Sequence, residues 1–213
     1  MKLSTASYLE LEQKANWVKE GRIILAQYDA DSIIVYQAYR PSIGHFAVQN
    51  GYFGGNFKLS RMTWIKPNFL WMMYRSSWGT KVGQEVILAI RLKRSAFDFI
   101  LAEAVHAKYI RELYENKQQW QKAVAKSNVR LQWDPDRSPR GEKLKRRAIQ
   151  LGLRGDIVTK YAKEWILDIE DISDFVAQQR EYVIQENYQA LQTPIEQIYQ
   201  VANRETANKL LLT

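Results

Sequence analysis

Aromatic and basic side chains crowd into residues 60–79, which read "SRMTWIKPNFLWMMYRSSWG". The proline of this stretch fits the first position of a helix, and one face of that helix would carry Asn68, Trp71, Arg75 and Trp78. An ordinary amphipathic helix places Lys, Glu or Gln opposite its core stripe. Indole rings beside a guanidinium instead suit a ligand with a flat ring and a phosphate. The stretch therefore predicts a pocket wall; the alternative is that Trp71 and Trp78 pack beneath C-terminal helices.

Positive charge just upstream of this helix adds to the candidate binding site. Arg61 and Lys66 would take the pyrophosphate of a nucleotide-type ligand, while the aromatic rings stack on its bases. The residues predicted to bind such a ligand are Tyr36, Arg40, Arg61, Trp64, Lys66, Asn68, Trp71, Arg75 and Trp78.

A second stretch, "VRLQWDPDRSPRG", places Gln132, Asp134 and Asp136 near the end of a predicted strand. These polar groups could act on a bound ligand, although a turn after a strand needs such residues in any case. The basic helix predicted to follow, "GEKLKRRAIQLGL", would suit the phosphates of single-stranded RNA or DNA. The residues predicted to contact nucleic acid are Arg137, Arg140, Lys143, Arg146 and Arg147.

Several common catalytic centres are excluded by what the chain lacks. It has no cysteine, hence no thiolate nucleophile and no zinc–thiolate site. Its two histidines, His45 and His106, have no metal-ligand spacing, and there is no HExxH, Walker, GxGxxG or GxSxG motif. The double glycine of "YFGGNFK" is typical of a loop, and the acidic run "DIEDISD" is typical of a helix start. No metal site is predicted.

The charge of the chain is positive and unevenly distributed. The 213 residues carry a formal net charge of +8. Residues 58–94 hold eight Lys or Arg and one acid, whereas residues 167–196 hold seven acids and one Arg. This asymmetry indicates a positive face and an anionic partner, or else a surface of scattered solvated charges. With no long apolar run and no signal-type N-terminus, we expect a cytoplasmic protein without a membrane span.

The elements that must position these side chains mix strands with helices. Strands are predicted at 23–25, 32–39 and 59–65, in "QEVILAIRLKR", and in "NVRLQWDPD" up to an Asp-Pro turn. Helices are predicted at 5–20, 41–50, 67–78, from 96, at 141–152, across 155–191 in one or two pieces, and from 194. We expect one α+β domain, with a mixed or antiparallel sheet and short interleaved helices over 20–155 and a helical extension over 156–213.

Four segments carry a family resemblance. "VYQAYRPSIGHFAVQNGYFGG", "SRMTWIKPNFLWMMYRSSWGTK", "VILAIRLKR" and "VRLQWDPDRSPRGEKLKRRAIQLGLRG" resemble the domain-of-unknown-function family 4291, over about residues 20–165. That family name implies no function.

A more distant resemblance does imply one. "IIVYQAYRPSIGHFAVQNGYF", followed by a second strand, a helix and "VILAIRLK", is similar to the opening of ADP-ribosyltransferase domains. The resemblance implies an NAD pocket in which Gln37 replaces the first-strand His or Arg and Tyr74 lines the nicotinamide side. Gln132, or one of the nearby acids Asp134 and Asp136, would stand near the late-strand glutamate. The sequence departs from the family pattern at Gln37 and in having no glutamate on the late strand.

Three functions therefore compete. The first is NAD-dependent ADP-ribosyl transfer to a nucleic-acid or protein acceptor, with Gln37, Tyr74, Gln132 and Asp134 as the candidate catalytic residues. A carboxylate there would steady an oxocarbenium-like ribose. The second is a non-catalytic module that binds single-stranded nucleic acid, with binding that weakens steeply in salt. The third is an interaction protein whose aromatic stretch is buried at an interface.

Overall fold

The structure, a computed structural model, describes residues 3–14 and 19–213. Strands and helices alternate along the chain, so the molecule is a mixed α+β protein. The helices are α1 (Tyr8–Lys14), α2 (Pro41–Asn50), α3 (Phe69–Ser76), α4 (Arg94–Glu103), α5 (Lys117–Lys126), α6 (Gly155–Lys160), which continues as a π-helical turn over Tyr161–Trp165, α7 (Ser173–Ile184) and α8 (Arg204–Leu210).

The strands range from two to eleven residues in length. They are β1 (Thr5–Ser7), β2 (Gly21–Arg22), β3 (Leu25–Ala26), β4 (Ser32–Tyr39), β5 (Thr63–Ile65), β6 (Val86–Lys93), β7 (Ala104–His106), β8 (Val129–Arg137), β9 (Lys143–Leu153), β10 (Ile166–Asp171), β11 (Gln192–Pro194) and β12 (Gln197–Ile198). No described helix has the length and apolar character needed to cross a lipid bilayer.

Two sheets form the body of the molecule. In the first, β6 lies between β10 and β4, and all pairs are antiparallel. In the second, β9 pairs with β8, β5 and β2, and β7 extends the sheet beyond β8. The sheets meet where the Tyr36 N–H donates to the Lys66 carbonyl (2.7 Å) and the Lys66 N–H donates to the Tyr36 carbonyl (3.3 Å). The chain just after β5 is therefore fixed against the middle of β4.

Strand β4 is buried on both faces because its alternate side chains enter two different cores. Ile33 and Val35 belong to the larger cluster, which also contains Phe97 of α4. Ile34 and Tyr36 belong to the second cluster, which also contains Phe69 of α3. This explains the continuous apolar run in the β4 sequence, since a half-exposed strand would alternate apolar and polar residues.

Two helix boundaries test the capping signals in the sequence. Helix α2 begins at Pro41 and ends at Asn50, and Gly51 follows in the left-handed conformation (φ 72°), as predicted. Helix α3 is shorter than the predicted 67–78, because the side chain of Asn68 caps the Trp71 N–H at 2.7 Å and so starts the helix at Phe69. Its end comes at Ser76, since Ser77 and Trp78 both have left-handed backbones (φ 51° and 55°).

The basic helix predicted at 141–152 is wrong: this segment is β9, the longest strand. Lys, Arg, Leu and Gln have good helix propensity, but here they pair with β8 over almost the whole strand. The exposed side chains of Lys143, Lys145 and Arg147 recur every second residue, which is the strand period. The Asp-Pro turn is also wrong, because Pro135 lies within β8 opposite Arg147.

The C-terminal part contributes strands as well as helices. One or two helices are predicted across 155–191; two helical pieces form, but β10 separates α6 from α7 and joins the first sheet. The prediction of a helix from residue 194 is wrong for residues 194–203, where Pro194 ends β11 and β12 follows. It is correct for α8, which begins at Arg204. Residues 156–213 are thus not a purely helical extension.

Smaller differences concern element lengths. The helix predicted from 96 is interrupted by β7. The strand predicted at 59–65 contracts to β5, and the one predicted at 23–25 is replaced by β2 and β3 on either side. In the helix predicted at 5–20, β1 precedes α1, and residues 15–18 lie outside the described part.

Candidate functional site

A large cleft opens where β4, β5, β8 and β9 face helix α3. Its volume is about 1100 Å³, at the upper end of the range for ligand pockets. Most of the predicted ligand-binding and catalytic residues line it, namely Gln37, Arg40, Arg61, Trp64, Lys66, Trp71, Tyr74, Arg75, Gln132 and Asp134.

The charge in this cleft is strongly positive. Its cationic side chains are Arg40, Lys58, Arg61, Lys66, Arg75 and Arg137, and Asp134 is the one carboxylate among the described lining residues. None of these cations forms an ion pair with a carboxylate in the described part of the chain. Cations that no protein acid neutralises are available to an anionic ligand, and the walls of a cleft concentrate their field.

Asp134 is held in place by two side-chain amides. The Gln132 Nε2 donates to its Oδ1 and the Gln150 Nε2 donates to its Oδ2, each at 2.8 Å. Gln132 and Asp134 share one face of β8, and Gln150 lies opposite Gln132 on β9. Because both carboxylate oxygens accept a hydrogen bond, the negative charge is fixed in orientation. Such a group can stabilise a developing positive charge or accept a proton.

Gln150 is the main residue that the sequence prediction missed. It was assigned to a basic helix, so nothing placed it beside Asp134. The signal available in the sequence was the alternation of polar and apolar residues at 143–145 and at 149–151.

One wall of the cleft is aromatic. The rings of Trp71 and Tyr74 stack with their centroids 5.4 Å apart at an interplanar angle of 20°. The Arg137 guanidinium lies 3.7 Å from the Tyr74 centroid and 5.8 Å from the Trp71 centroid. The Trp71 Nε1 and the Arg137 Nε are buried without a hydrogen-bond partner among the described residues. Both atoms are shielded from solvent, so the cleft presents the faces of these side chains rather than these two donors.

Gln37 lines the cleft, yet both ends of its amide are engaged by the protein. Its Nε2 lies near the Thr63 Oγ1 (2.7 Å), the Tyr39 hydroxyl (2.9 Å) and the Trp64 carbonyl (3.1 Å). Its Oε1 accepts the Tyr161 hydroxyl at 2.6 Å. The side chain is 3% exposed. Gln37 therefore ties β4 to β5 and to the π-helical turn.

Lys66 lines the cleft, and its amine has few hydrogen-bond partners. Its Nζ contacts the Trp64 carbonyl at 3.4 Å, which is long for a hydrogen bond. The pKa of Lys66 is lowered to about 7, chiefly by burial and next by the Arg75 charge, while the Asp134 charge opposes the change.

Three predicted ligand-binding residues lie outside the cleft lining. Tyr36 is fully buried in the core, edge to face with Phe69 at 5.5 Å. Asn68 caps α3. Trp78 follows the helix end, where its ring packs against Phe69 and its Nε1 donates to the Pro139 carbonyl at 3.2 Å. The predicted helix face is therefore divided, and only Trp71 and Arg75 of its four residues reach the cleft.

The residues predicted to contact nucleic acid do not share one surface. Arg137 lines the cleft. Arg140 pairs with Glu186 at 2.5 Å on the surface, and Arg146 is buried in an ion pair with Asp136 at 2.5 Å. Lys143 and Arg147 are exposed on β9.

Among the described residues, no three His, Asp or Glu side chains gather into a group that could hold a metal ion. No curated protein sequence matches the chain. A family model does match, over residues 23–199 and thus over most of the chain. The chain therefore belongs to the family described as domain of unknown function DUF4291.

Proposed function

We propose that the cleft binds NAD and transfers its ADP-ribosyl group to a nucleic-acid or protein acceptor. The observation that carries this proposal is Asp134, the one carboxylate among the described residues of a cationic and aromatic cleft, which two amides hold in place. A site that only bound anions would gain nothing from a fixed negative charge, whereas a site that stabilises a ribosyl cation needs one.

The cationic and the aromatic side chains of the cleft suit different parts of a dinucleotide. Arg61, Arg75 and Arg137 can neutralise the two charges of a pyrophosphate. The stacked rings of Trp71 and Tyr74 can take a base or the nicotinamide ring.

The order of elements agrees with the ADP-ribosyltransferase resemblance. Strand, helix, strand, helix and strand were expected in succession, and β4, α2, β5, α3 and β6 follow one another in that order. The helix expected to line the nicotinamide side corresponds to α3, which carries Tyr74 into the cleft lining.

The proposed reaction needs no further cofactor. The glycosidic bond between the ribose and nicotinamide breaks, nicotinamide leaves as a neutral molecule, and the ribose carries the positive charge. The carboxylate of Asp134 stabilises that charge. An acceptor oxygen or nitrogen then bonds to the ribose carbon and loses its proton to Asp134 or to water.

The test is a titration with NAD, followed by tryptophan fluorescence, together with an assay for released nicotinamide. We expect R75A to weaken NAD binding about tenfold or more, because a charge-assisted contact to phosphate is lost. We expect D134N to keep its affinity within about threefold but to release nicotinamide at least about a hundredfold more slowly. R140A, which removes a surface cation away from the cleft, is the matched control.

Three results would contradict this proposal. NAD binding that is unchanged in R75A would contradict the placement of the ligand, and full nicotinamide release by D134N would contradict the role of the carboxylate. A response to single-stranded RNA alone, fading as salt rises, would replace this proposal with a binding module.

A further inference from the structure

Lys66 is a buried amine at the cleft that the proposed transfer reaction does not use. It directly follows β5, and its backbone pairs with Tyr36 of β4 in both directions. The residue is only 6% exposed, yet it lines the cleft. Its backbone bonds fix the point from which the side chain reaches the ligand space, so its position does not depend on a flexible loop.

The surroundings of Lys66 do not stabilise an ammonium ion. The charged groups that act on it are Arg75 of α3, which repels it, and Asp134 of β8, which attracts it. Asp134 already accepts bonds from two amides and forms no ion pair with Lys66. On β4, burial raises the pKa of Tyr36 well above its usual value and that of Tyr39 to about 12, so both phenols are neutral.

The surroundings of this amine match two conditions that are known to activate a lysine as a nucleophile. Desolvation and a neighbouring cation both favour the neutral form, and the neutral amine is the nucleophile. The other lysine of the cleft lining, Lys58, is exposed to solvent and so lacks the desolvation. The two lysines form a natural pair for comparison.

We propose that Lys66 is a nucleophile that forms an imine with the aldehyde of a phosphorylated sugar held in the cleft. The inference rests on the proposed function for its natural ligand: when water accepts the ribosyl group of NAD, the product is ADP-ribose, whose open-chain form carries an aldehyde. The cleft cations hold the phosphates, and the amine meets the carbonyl carbon.

The step is balanced without an additional reagent. The Lys66 nitrogen bonds to the carbonyl carbon and the carbon–oxygen π bond breaks, which gives a carbinolamine. The carbon–oxygen single bond then breaks, and the oxygen leaves as water with the two protons that the amine has lost. The carbon–nitrogen double bond of the imine remains, and addition of water reverses it.

The test uses two aldehyde probes, ADP-ribose and pyridoxal 5′-phosphate, with cyanoborohydride to reduce any imine to a stable secondary amine. Intact mass and peptide mapping of the wild-type protein locate the modification. We expect one addition per chain, on Lys66, with a rate that rises about tenfold from pH 6 to pH 8 as the amine loses its proton. K66M should lose the addition, and K145M, which removes an exposed lysine of β9 outside the cleft lining, should keep it.

Other outcomes overturn the inference. Addition to Lys58, scattered addition over surface lysines, or a rate without a midpoint near neutral pH would each show that Lys66 is not the activated amine. Wild-type mapping gives this answer even if K66M folds poorly. Labelling of Lys66 by pyridoxal 5′-phosphate without nicotinamide release from NAD would support the role of Lys66 as a nucleophile and contradict the proposed transfer reaction. Nicotinamide release without labelling of Lys66 would support the transfer reaction and contradict the role of Lys66 as a nucleophile.

Discussion

At the scale of single residues, burial of Lys66 links stability to pH. Below about pH 7 the folded and unfolded chains both carry the Lys66 charge, and the fold bears the full cost of burying it. Above that pH only the unfolded chain keeps the proton, up to a pKa of about 10.4. The unfolded state then binds more protons, so the free energy of unfolding rises with pH by up to about 1.4 kcal/mol per unit.

We therefore predict that K66M is more stable than the wild type at low pH and loses this advantage as pH rises. Between about pH 6 and pH 9 the difference in unfolding free energy should shrink by roughly 2 to 3 kcal/mol. Urea unfolding at several pH values measures it, with K58M as the exposed control. A difference that stays constant with pH would show that Lys66 keeps its ordinary pKa in the fold.

The residue types of the cleft could be predicted from sequence, but their partners could not. Trp71, Tyr74 and Arg75 lie in one short segment, so their clustering is visible in the sequence. The clamp on Asp134 joins positions on two strands, and a shift of one residue in their register would turn Gln150 to the other face. The side chain of Gln37 donates to Thr63 and accepts from Tyr161, and both partners are distant from it in sequence.

At the scale of elements, helix α3 is anchored at its start by two side chains. Asn68 caps the Trp71 N–H, and the buried Glu196 carboxyl accepts the Phe69 N–H at 2.6 Å and the Asn68 Nδ2 at 3.1 Å. Burial raises the pKa of Glu196 well above its usual value, while the Phe69 N–H opposes the shift. A residue from the C-terminal segment thus fixes the helix that carries Trp71 and Tyr74.

We predict that E196A destabilises the protein by about 1 to 3 kcal/mol, because it leaves the buried Phe69 N–H without an acceptor. E196Q keeps an oxygen for that N–H, and its cost should be smaller. Urea unfolding measures the stability of E196A and E196Q. The control is E181A on the exposed face of α7, which should change stability by less than about 0.5 kcal/mol. Equal losses in E196A and E196Q would mean that the charge, rather than the acceptor, holds the helix.

The elements predicted well and badly differ in one physical respect. β4, α2 and β6 carry local signals, namely β-branched runs or a Pro start with a Gly end, and their positions were predicted. β9 is built from residues with helix propensity and becomes a strand through its pairing with β8, β5 and β2. Pairing between distant segments leaves little trace in the local sequence.

At the scale of the whole molecule, the last residues close the larger core. Leu210 of α8 is fully buried in it. The Trp133 Nε1 of β8 donates to the Leu210 carbonyl at 3.0 Å, and the His106 Nε2 of β7 lies 2.9 Å from the Lys209 carbonyl. Helix α8 thus covers the side of the second sheet formed by β7 and β8, and β8 also carries Asp134.

We predict that deleting residues 203–213 lowers the melting temperature by at least about 10 °C. The deletion removes a buried leucine, worth about 2 to 5 kcal/mol, and two acceptors of side-chain donors, worth about 1 to 3 kcal/mol each. In a chain of this size 1 kcal/mol corresponds to about 2 to 4 °C. Deleting Thr213 alone is the control and should cost little, because within the described part of the chain its hydrogen bonds are to Arg22. Thermal unfolding followed by circular dichroism measures both. A deletion without effect would mean that the second sheet, and the cleft built on it, are complete without α8.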